Sequence, residues 1–234
     1  SNRVFSTMLD KDAAAVVEAH LKNRGVDILK GEDITQIDAK GKVTLKSGNT
    51  QESNLVIFGK GVKPCTALVE GTGITVRRGI AVNAHMETNM ADIYAAGDCV
   101  ETRDLIAGDL RVNALWPVAI EQGRVAALNM AGIPDSYDGS LSRNILRVFG
   151  LSIFVAGQGR ADGPEIKVSS GTGFYHKIVL DKGVLKGFIF VGDVRHEGLY
   201  RDMLQRQADV GIFAGSLLAG KFAYPRIQRR AMRM

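Results

Sequence analysis

The chain has 234 residues, enough for one large domain or two ordinary ones, and its 45% hydrophobic and 24% charged residues are typical of a globular protein. The net charge of +5 is mild, and the basic C-terminal stretch has only Phe222 and Tyr224 interleaved, which argues against nucleic-acid binding. The apolar runs are too short to cross a bilayer and no signal peptide is visible, so we expect a cytoplasmic protein without a membrane partner.

The cysteines and histidines do not form a metal-binding pattern. Cys65 and Cys99 match neither a CxxC redox pair nor a metal framework, and His20 and His85 have no metal-like partners nearby in sequence. We therefore expect no metal site. Cys99 follows Asp98 directly, and we interpret it as an inert, half-buried thiol rather than a reactive one.

A helix followed by short strands is predicted for the first part of the chain. Asp10 is a suitable N-cap, and the apolar face beyond it predicts a helix to about Arg24, ending at Gly25. That face needs a sheet to cover it. Strands are predicted at Val26–Leu29, Ile34–Asp38, Val43–Lys46, Leu55–Phe58 and Ile80–Val82. An α/β domain should begin with a strand and a glycine-rich turn, and neither is present here.

The stretch from Thr88 to Asp98 carries the first candidate site. Its apolar run Ile93–Ala96 ends in Gly97 and Asp98, which predicts a buried strand whose C-terminal end opens on a polar ligand. Gly97 would let a ligand approach the backbone, and Asp98 would present a carboxylate to a hydroxyl group. An ordinary strand end is the alternative.

A second helix is predicted from Leu115 to Ala131. Pro117 suits a first helical position and Gly132 a helix stop, while small residues form one face, namely Ala119, Gly123, Ala126 and Ala127. The amides near Val118 and Ala119 would carry partial positive charge and could face an anionic group. A simple packing helix is the alternative.

From about Ser140 the pattern changes to strands separated by glycine turns. Strands are predicted at Asn144–Phe149, Ile153–Ala156, Glu165–Val168, Phe174–Leu180 and Leu185–Val191, with closing helices at Glu197–Asp209 and Ile212–Leu218. The pattern predicts an α+β domain of about ninety residues.

Two motifs resemble those of the pyridine nucleotide-disulfide oxidoreductases, which are flavoproteins with two dinucleotide-binding domains. The run from Thr88 to Asp98 resembles their second flavin-binding motif, and Ala119-Ile120-Glu121-Gln122-Gly123-Arg124 resembles their Ala-x-x-Gln-Gly-Arg signature. The resemblance implies FAD and NAD(P)H as cofactors. It implies that Asp98 holds a ribityl hydroxyl, that Gly97 permits close approach, and that the amides around Val118 and Ala119 stabilise the reduced flavin. It assigns no catalytic residue.

The same resemblance implies a truncated α/β fold of the FAD/NAD(P)-binding type, followed by an α+β C-terminal dimerisation domain. Residues 3–62 resemble the second half of the NAD(P)H-binding domain, residues 63–139 the C-terminal part of the FAD-binding domain, and residues 140–234 the interface domain. The GxGxxG turns for both dinucleotides are missing, and we expect them upstream of Ser1. The segment Phe58–Cys65 departs from the family pattern at Gly59, Lys60 and Cys65.

The expected third domain, residues 140–234, indicates which members of the family the chain resembles, but it does not identify the electron acceptor. Tyr175–Leu180 with Leu185–Asp193 resembles the hairpin of NADH-rubredoxin oxidoreductases and of nitrite reductase flavin modules, and the family also includes NADH oxidases. The resemblance implies hydride transfer from NAD(P)H to flavin and then to a disulfide, oxygen or a small redox protein. An acidic redox partner could dock on the basic tail, residues 221–234, and the fragment alone is expected to be inactive. The alternative is a non-catalytic homodimerisation module with a vestigial flavin half-site.

Overall fold

The helices and strands form three groups along the chain in this computed structural model, which describes residues 1–162 and 166–219 apart from the side chain of Lys167. The first group is helix α1 (Lys11–Lys22) with strands β1 (Ile34–Ile37), β2 (Lys42–Leu45) and β3 (Thr50–Glu52). The second is β4 (Ile80–Ala81), β5 (Val100–Arg103), β6 (Leu110–Arg111) and helix α2 (Trp116–Met130). The third is β7 (Arg143–Val148), β8 (Leu151–Gly157), β9 (Ile166–Gly171), β10 (Phe174–Asp181), β11 (Val184–Gly192), α3 (Glu197–Gln205) and α4 (Ala214–Leu218), with a 3₁₀ turn at Gly211–Phe213 before α4.

Helix α1 begins where the sequence predicts. Asp10 is its N-cap, and the Oδ1 atom accepts the Ala13 N–H at 3.0 Å, which satisfies one of the amides left unpaired at a helix start. The helix ends at Lys22, two residues before the expected position, and Gly25 then adopts a positive φ of 78°. On its outer side Lys30 pairs with Glu18 at 3.0 Å.

The third group is built on a five-stranded antiparallel sheet in the order β7-β8-β11-β10-β9. All five strands were expected, with ends that shift by up to three residues. The interior strands β8 and β11 are apolar at consecutive positions, because both faces of this sheet are covered.

Helix α1 covers one face of the five-stranded sheet. Its buried residues pack with every second residue of the strands, and this cluster comprises Leu9, Ala13, Ala14, Val17, Leu151, Ile153, Val155, Tyr175, Ile189 and Val191. The predicted apolar face of α1 therefore does meet a sheet. That sheet comes from the last part of the chain, more than 120 residues away in sequence.

Helices α3 and α4 cover the opposite face of the same sheet. The alternate side chains of β8, β10 and β11 meet them there, and the cluster includes Phe154, Ile178, Phe188, Phe190, Tyr200, Leu204 and Leu217. Phe188 and Phe190 stack with ring centroids 5.0 Å apart. The result is a helix–sheet–helix arrangement in three layers.

The middle group forms a smaller sheet in the order β4-β5-β6, in which β4 and β5 are parallel. Helix α2 packs beside it through Val125 and Ala126, which contact the buried Met86. Its observed span agrees with the predicted helix from Leu115 to Ala131.

Three strand predictions were wrong. Val26–Leu29, Leu55–Phe58 and Ile93–Ala96 are not strands, although Tyr94 makes an isolated bridge to Glu87. Leu55, Ile57 and Phe58 are exposed, Ile57 to 81%, whereas Tyr94 and Ala96 are partly buried beside Met86. A buried parallel strand needs neighbours on both sides. The described part of the chain supplies no strand beside any of these three segments.

Some predictions fall on residues outside the described part of the chain. These are the basic tail, residues 221–234, and Glu165 at the expected start of a strand that is described from Ile166 onward. Among the described residues, no helix combines the length and apolar character that a membrane crossing requires.

Candidate functional site

The loop before the predicted site is closed by Thr88. Its N–H donates to the Ile93 carbonyl at 2.8 Å, and its Oγ1 accepts the Met90 N–H at 3.1 Å. Farther along, the Ala95 N–H donates to the Met86 carbonyl at 3.0 Å. Thr88 is buried, so its hydroxyl serves the shape of this loop.

Gly97 forms a turn directly against helix α2. Its φ of 90° lies in the left-handed region that favours glycine, and its N–H donates to Gln122 Oε1 at 2.8 Å. A Cβ at this position would lie 3.7 Å from the Cβ of Ala119, an ordinary contact. The backbone conformation, rather than a lack of space, therefore explains the glycine.

Asp98 projects from this turn into solvent. Its carboxylate is exposed and makes no hydrogen bond with any residue that the structure describes, so it is available to a ligand hydroxyl. The next residue, Cys99, is half-buried and its Sγ lies 3.5 Å from the Ala96 carbonyl. Burial, with a smaller contribution from the Asp98 charge, raises the pKa of the Cys99 thiol, as expected for an inert cysteine.

The N-terminal turn of α2 packs against the Gly97 turn through Ala119. Pro117 is in its first turn, as predicted, and no side chain caps the helix. The Ala119 N–H donates to the Leu115 carbonyl at 3.0 Å and so belongs to the helix itself. The Val118 N–H has no acceptor within the described ranges, so it can contribute to the positive end of the helix dipole. The Val118 side chain is buried beneath it.

Gln122 is a polar residue of this site to which the sequence analysis gave no role. Its side chain is buried, and its Nε2 donates to the Thr102 hydroxyl at 3.2 Å. Tyr137 lies next to it, and burial is the chief cause that raises the pKa of Tyr137 to about 12. The spacing Val118, Gln122, Val125 places the glutamine on the buried face of α2, and that signal could have identified it.

A separate cleft of about 680 Å³ lies between the start of the chain and the sheet edge at β9 and β10. At its wall, Asp10 Oδ2 accepts hydrogen bonds from Lys177 Nζ at 3.1 Å and from the Tyr175 hydroxyl at 2.9 Å. None of the four predicted site residues lines this cleft. No group of three or more His, Cys, Asp and Glu side chains suited to a metal ion occurs within residues 1–162 and 166–219.

Comparison with known proteins identifies the family. Residues 1–123, just over half of the chain, match the family described as "Pyridine nucleotide-disulphide oxidoreductase". The chain belongs to this family. The sequence-based assignment to the pyridine nucleotide-disulfide oxidoreductases is therefore confirmed, and with it the mixed α/β dinucleotide-binding fold.

Relatives and a solved structure agree with this assignment. The chain is 33% identical to the NAD(P)H nitrite reductase of Bacillus subtilis (strain 168) over 214 residues, which are 88% of this chain and 26% of that protein. It is 31% identical to the NADH-rubredoxin oxidoreductase of Clostridium acetobutylicum over 187 residues, covering 80% of this chain and 45% of that protein. The NAD-dependent persulfide reductase of A. fulgidus superposes with a TM-score of 0.79 at 25% identity, covering 92% of this chain and 44% of the other.

The chain spans less than half the length of each of these relatives. The family is one of FAD-dependent NAD(P)H oxidoreductases, and the names of these relatives include NAD, NADH or NAD(P)H.

Proposed function

We propose that this chain is the C-terminal portion of a FAD-dependent NAD(P)H oxidoreductase. The observation that carries the proposal is the Gly97 turn, which packs against the first turn of α2 at Ala119 and projects the exposed carboxylate of Asp98. The chemistry that FAD would supply when bound is acceptance of a hydride from NAD(P)H and delivery of the two electrons to a second acceptor. The acceptor is a disulfide, oxygen or a small redox protein.

The residues of this site fit a flavin nucleotide. The exposed Asp98 carboxylate accepts a hydrogen bond from a ribityl hydroxyl, and the left-handed Gly97 turn keeps that carboxylate outward. The free Val118 amide and the N-terminal dipole of α2 favour negative charge next to the helix. Ala119 contributes its small side chain, which allows the helix end to approach the turn.

The remaining parts of the cofactor sites belong to a longer polypeptide in this proposal. The chain contains no GxGxxG turn, and phosphate groups of dinucleotides are commonly held by such turns. Its exposed apolar segment includes Leu55, Ile57 and Phe58, which suits a strand that pairs with N-terminal FAD and NAD(P)H segments. We therefore expect the isolated chain to bind FAD weakly and to lack oxidoreductase activity.

A FAD titration tests this proposal directly. We expect the isolated chain to quench flavin fluorescence only at FAD concentrations above the micromolar range. The Asp98→Ala variant should bind about tenfold more weakly, because a hydrogen bond to a charged group is lost. Glu121→Ala, which removes an exposed carboxylate from α2, is the matched control and should leave the affinity unchanged. Submicromolar affinity would contradict the half-site, and an unaltered affinity of the Asp98 variant would contradict its role.

Homodimerisation through residues 140–219 is part of the same proposal. Strand β7 is an edge strand, and Ile145 within it and Phe149 directly after it are exposed. An exposed apolar edge of this kind favours association with a second copy. Light scattering after gel filtration should show a dimer, and Ile145→Glu should shift it to a monomer, with Arg147→Glu as the control for charge alone. A wild-type monomer at high micromolar concentration would contradict this assignment.

An acidic redox protein is the proposed electron-accepting partner. One relative is named as a rubredoxin oxidoreductase, and the last fourteen positions of this chain hold five of its 30 Lys and Arg residues and no Asp or Glu. In the longer enzyme of which this chain is proposed to be a part, removing the segment that corresponds to residues 221–234 should slow electron transfer to an acidic acceptor at low salt. The effect should be smaller at high salt, where charges are screened. Unchanged acceptor kinetics at low salt would exclude the tail as the docking site.

A further inference from the structure

Gln122 is a buried amide on an otherwise apolar helix face. Its side chain is 1% exposed, and the other buried residues of α2 are Val118, Val125 and Ala126. Burying an amide without hydrogen bonds costs free energy, so such a residue needs partners for both its oxygen and its nitrogen. The structure supplies one partner for each.

The two ends of the Gln122 amide bind the backbone and side chain on either side of Asp98. Oε1 accepts the Gly97 N–H at 2.8 Å, and Nε2 donates to Thr102 Oγ1 at 3.2 Å. Gly97 immediately precedes Asp98, and Thr102 lies in β5, which begins two residues after Asp98. One side chain therefore holds the chain before and after the exposed carboxylate.

We propose that Gln122 is a positioning residue that orients Asp98 toward the ribityl chain of FAD and fixes the turn to the N-terminus of α2. This role rests on the proposed function. Gln122 lies three residues after Ala119, so both project from the same side of the helix, and Ala119 faces the Gly97 turn. The N-terminus of α2 and the Asp98 carboxylate are then held together, and the Gln122 side chain sets the distance between them.

The left-handed turn makes this restraint important for Asp98. Gly97 has access to more backbone conformations than any other residue, so without a hydrogen bond to its N–H the turn can change its φ easily. A change in the backbone of Gly97 moves the neighbouring Asp98 carboxylate directly. The Gln122 hydrogen bond removes this freedom before the ligand binds, which lowers the entropy cost of binding.

The test uses this chain with three variants and two measurements. Gln122→Met removes both hydrogen bonds at similar volume, and Gln122→Glu keeps an acceptor for the Gly97 N–H. Tyr137→Phe is the matched control, because it removes a buried hydroxyl beside Gln122 but leaves in place the hydrogen bonds of Gln122 to Gly97 and Thr102. The measurements are the amide hydrogen-exchange rate of Gly97 by NMR and the FAD dissociation constant by fluorescence titration.

Gln122→Met should speed exchange of the Gly97 amide at least about tenfold and weaken FAD binding by about tenfold, the loss expected for one buried hydrogen bond. Gln122→Glu should recover most of the Gly97 protection, and Tyr137→Phe should change neither quantity by more than about twofold. The proposal is overturned if Gln122→Met leaves Gly97 exchange unchanged, or if Tyr137→Phe produces equal losses, since the effect would then be general destabilisation.

The same experiment separates this inference from the proposed function. If the wild-type chain binds no FAD at millimolar concentration, the proposed function fails, and with it the orientation of Asp98 toward a flavin. The restraint of the turn by Gln122 is still decided by the Gly97 exchange rate. If wild type binds FAD and Gln122→Met binds it equally well, the function stands and the positioning role is refuted.

Discussion

Replacing Asp10 should destabilise the fold far more than its surface position suggests. Its Oδ1 caps α1, and its Oδ2 accepts hydrogen bonds from Lys177 and Tyr175 in β10, so one carboxylate connects the first helix to the last sheet. The Lys177 side chain is only 4% exposed, whereas that of Asp10 is 20% exposed. The second carboxylate near Lys177, Asp162, is 4.0 Å away and fully exposed, so it compensates little.

The loss of stability in each variant depends on whether the Lys177 ammonium or the Asp10 carboxylate is left buried without its partner. Asp10→Ser keeps an N-cap hydroxyl but leaves the Lys177 ammonium buried without its carboxylate, for which we expect a loss of about 3 kcal/mol in the free energy of unfolding. Lys177→Met leaves a partly solvated carboxylate that still binds Ala13 and Tyr175, for a loss of about 1 kcal/mol. The double variant should lose about 2 kcal/mol, so the coupling energy is also about 2 kcal/mol.

Urea denaturation followed by far-UV circular dichroism at pH 7 measures these values. Asp12→Ser, which removes an exposed carboxylate two residues farther along, in the first turn of the same helix, is the control and should stay within about 0.5 kcal/mol of wild type. An Asp10→Ser loss below about 1 kcal/mol would refute the reasoning. So would additive losses in the double variant, because independent sites have no coupling.

Three further predictions concern single side chains. Gly97→Ala should lower the free energy of unfolding by about 1–2 kcal/mol, because Gly97 has a positive φ. Gly123→Ala should raise the free energy of unfolding by up to about 1 kcal/mol, because Gly123 lies in helix α2 with open space around it. Thermal melts in which the two variants shift equally would refute this. The hydrogen bond from its lysine partner lowers the pKa of Glu18, so Glu18→Gln should cost about 0.5 kcal/mol at pH 7. This loss should vanish as the pH falls through that lowered pKa, below the ordinary value of about 4, and a loss that persists at pH 2 in urea titrations would contradict the ion pair. Iodoacetamide at pH 8 should modify the exposed Cys65 well before Cys99, whose thiol pKa is raised by burial, and equal rates by peptide mass spectrometry would show that Cys99 is accessible.

The sequence predicted best the elements whose signals are local. Asp10 and the apolar positions after it predict α1, and Pro117 with Gly132 predicts α2 to within one residue at each end. The hairpin of β10 and β11 follows from two apolar runs around the turn Asp181-Lys182-Gly183. In each case the residues that define the element lie within it or next to it, so the pattern is complete in a short window.

The failed strand predictions had apolar sequence but no partner. Leu55–Phe58 and Ile93–Ala96 have the composition of buried strands, yet a strand exists only when another strand pairs with it. Pairing is a property of the whole sheet. Composition within four residues cannot reveal whether the neighbouring strand is supplied.

In the candidate site too, the features with local sequence signals were predicted and the long-range contacts were not. Gly97 and Asp98 were identified from their position at the end of an apolar run, and the motif at Ala119 to Arg124 identified the helix that packs against them. The hydrogen bond between Gly97 and Gln122 could not be read from either motif, since it joins residues 25 positions apart. The buried spacing of Gln122 on α2 was the available sign that its amide needs partners.

The sequence by itself determined the five strands of the third group, the two main helices and the family. The runs Ile153–Ala156 and Phe188–Val191 also indicate a sheet that is covered on both faces, because an exposed face would require alternating polar residues. Only the tertiary structure decided what covers them. Helices α3 and α4 follow the sheet and cover one face, while α1 covers the other from more than 120 residues upstream. The apolar residues of a sheet face do not indicate in the sequence which helix will cover them, because any amphipathic helix of suitable shape can bury such a face. The contact of the Asp10 carboxylate with Lys177 and Tyr175 is the specific contact that places α1 there.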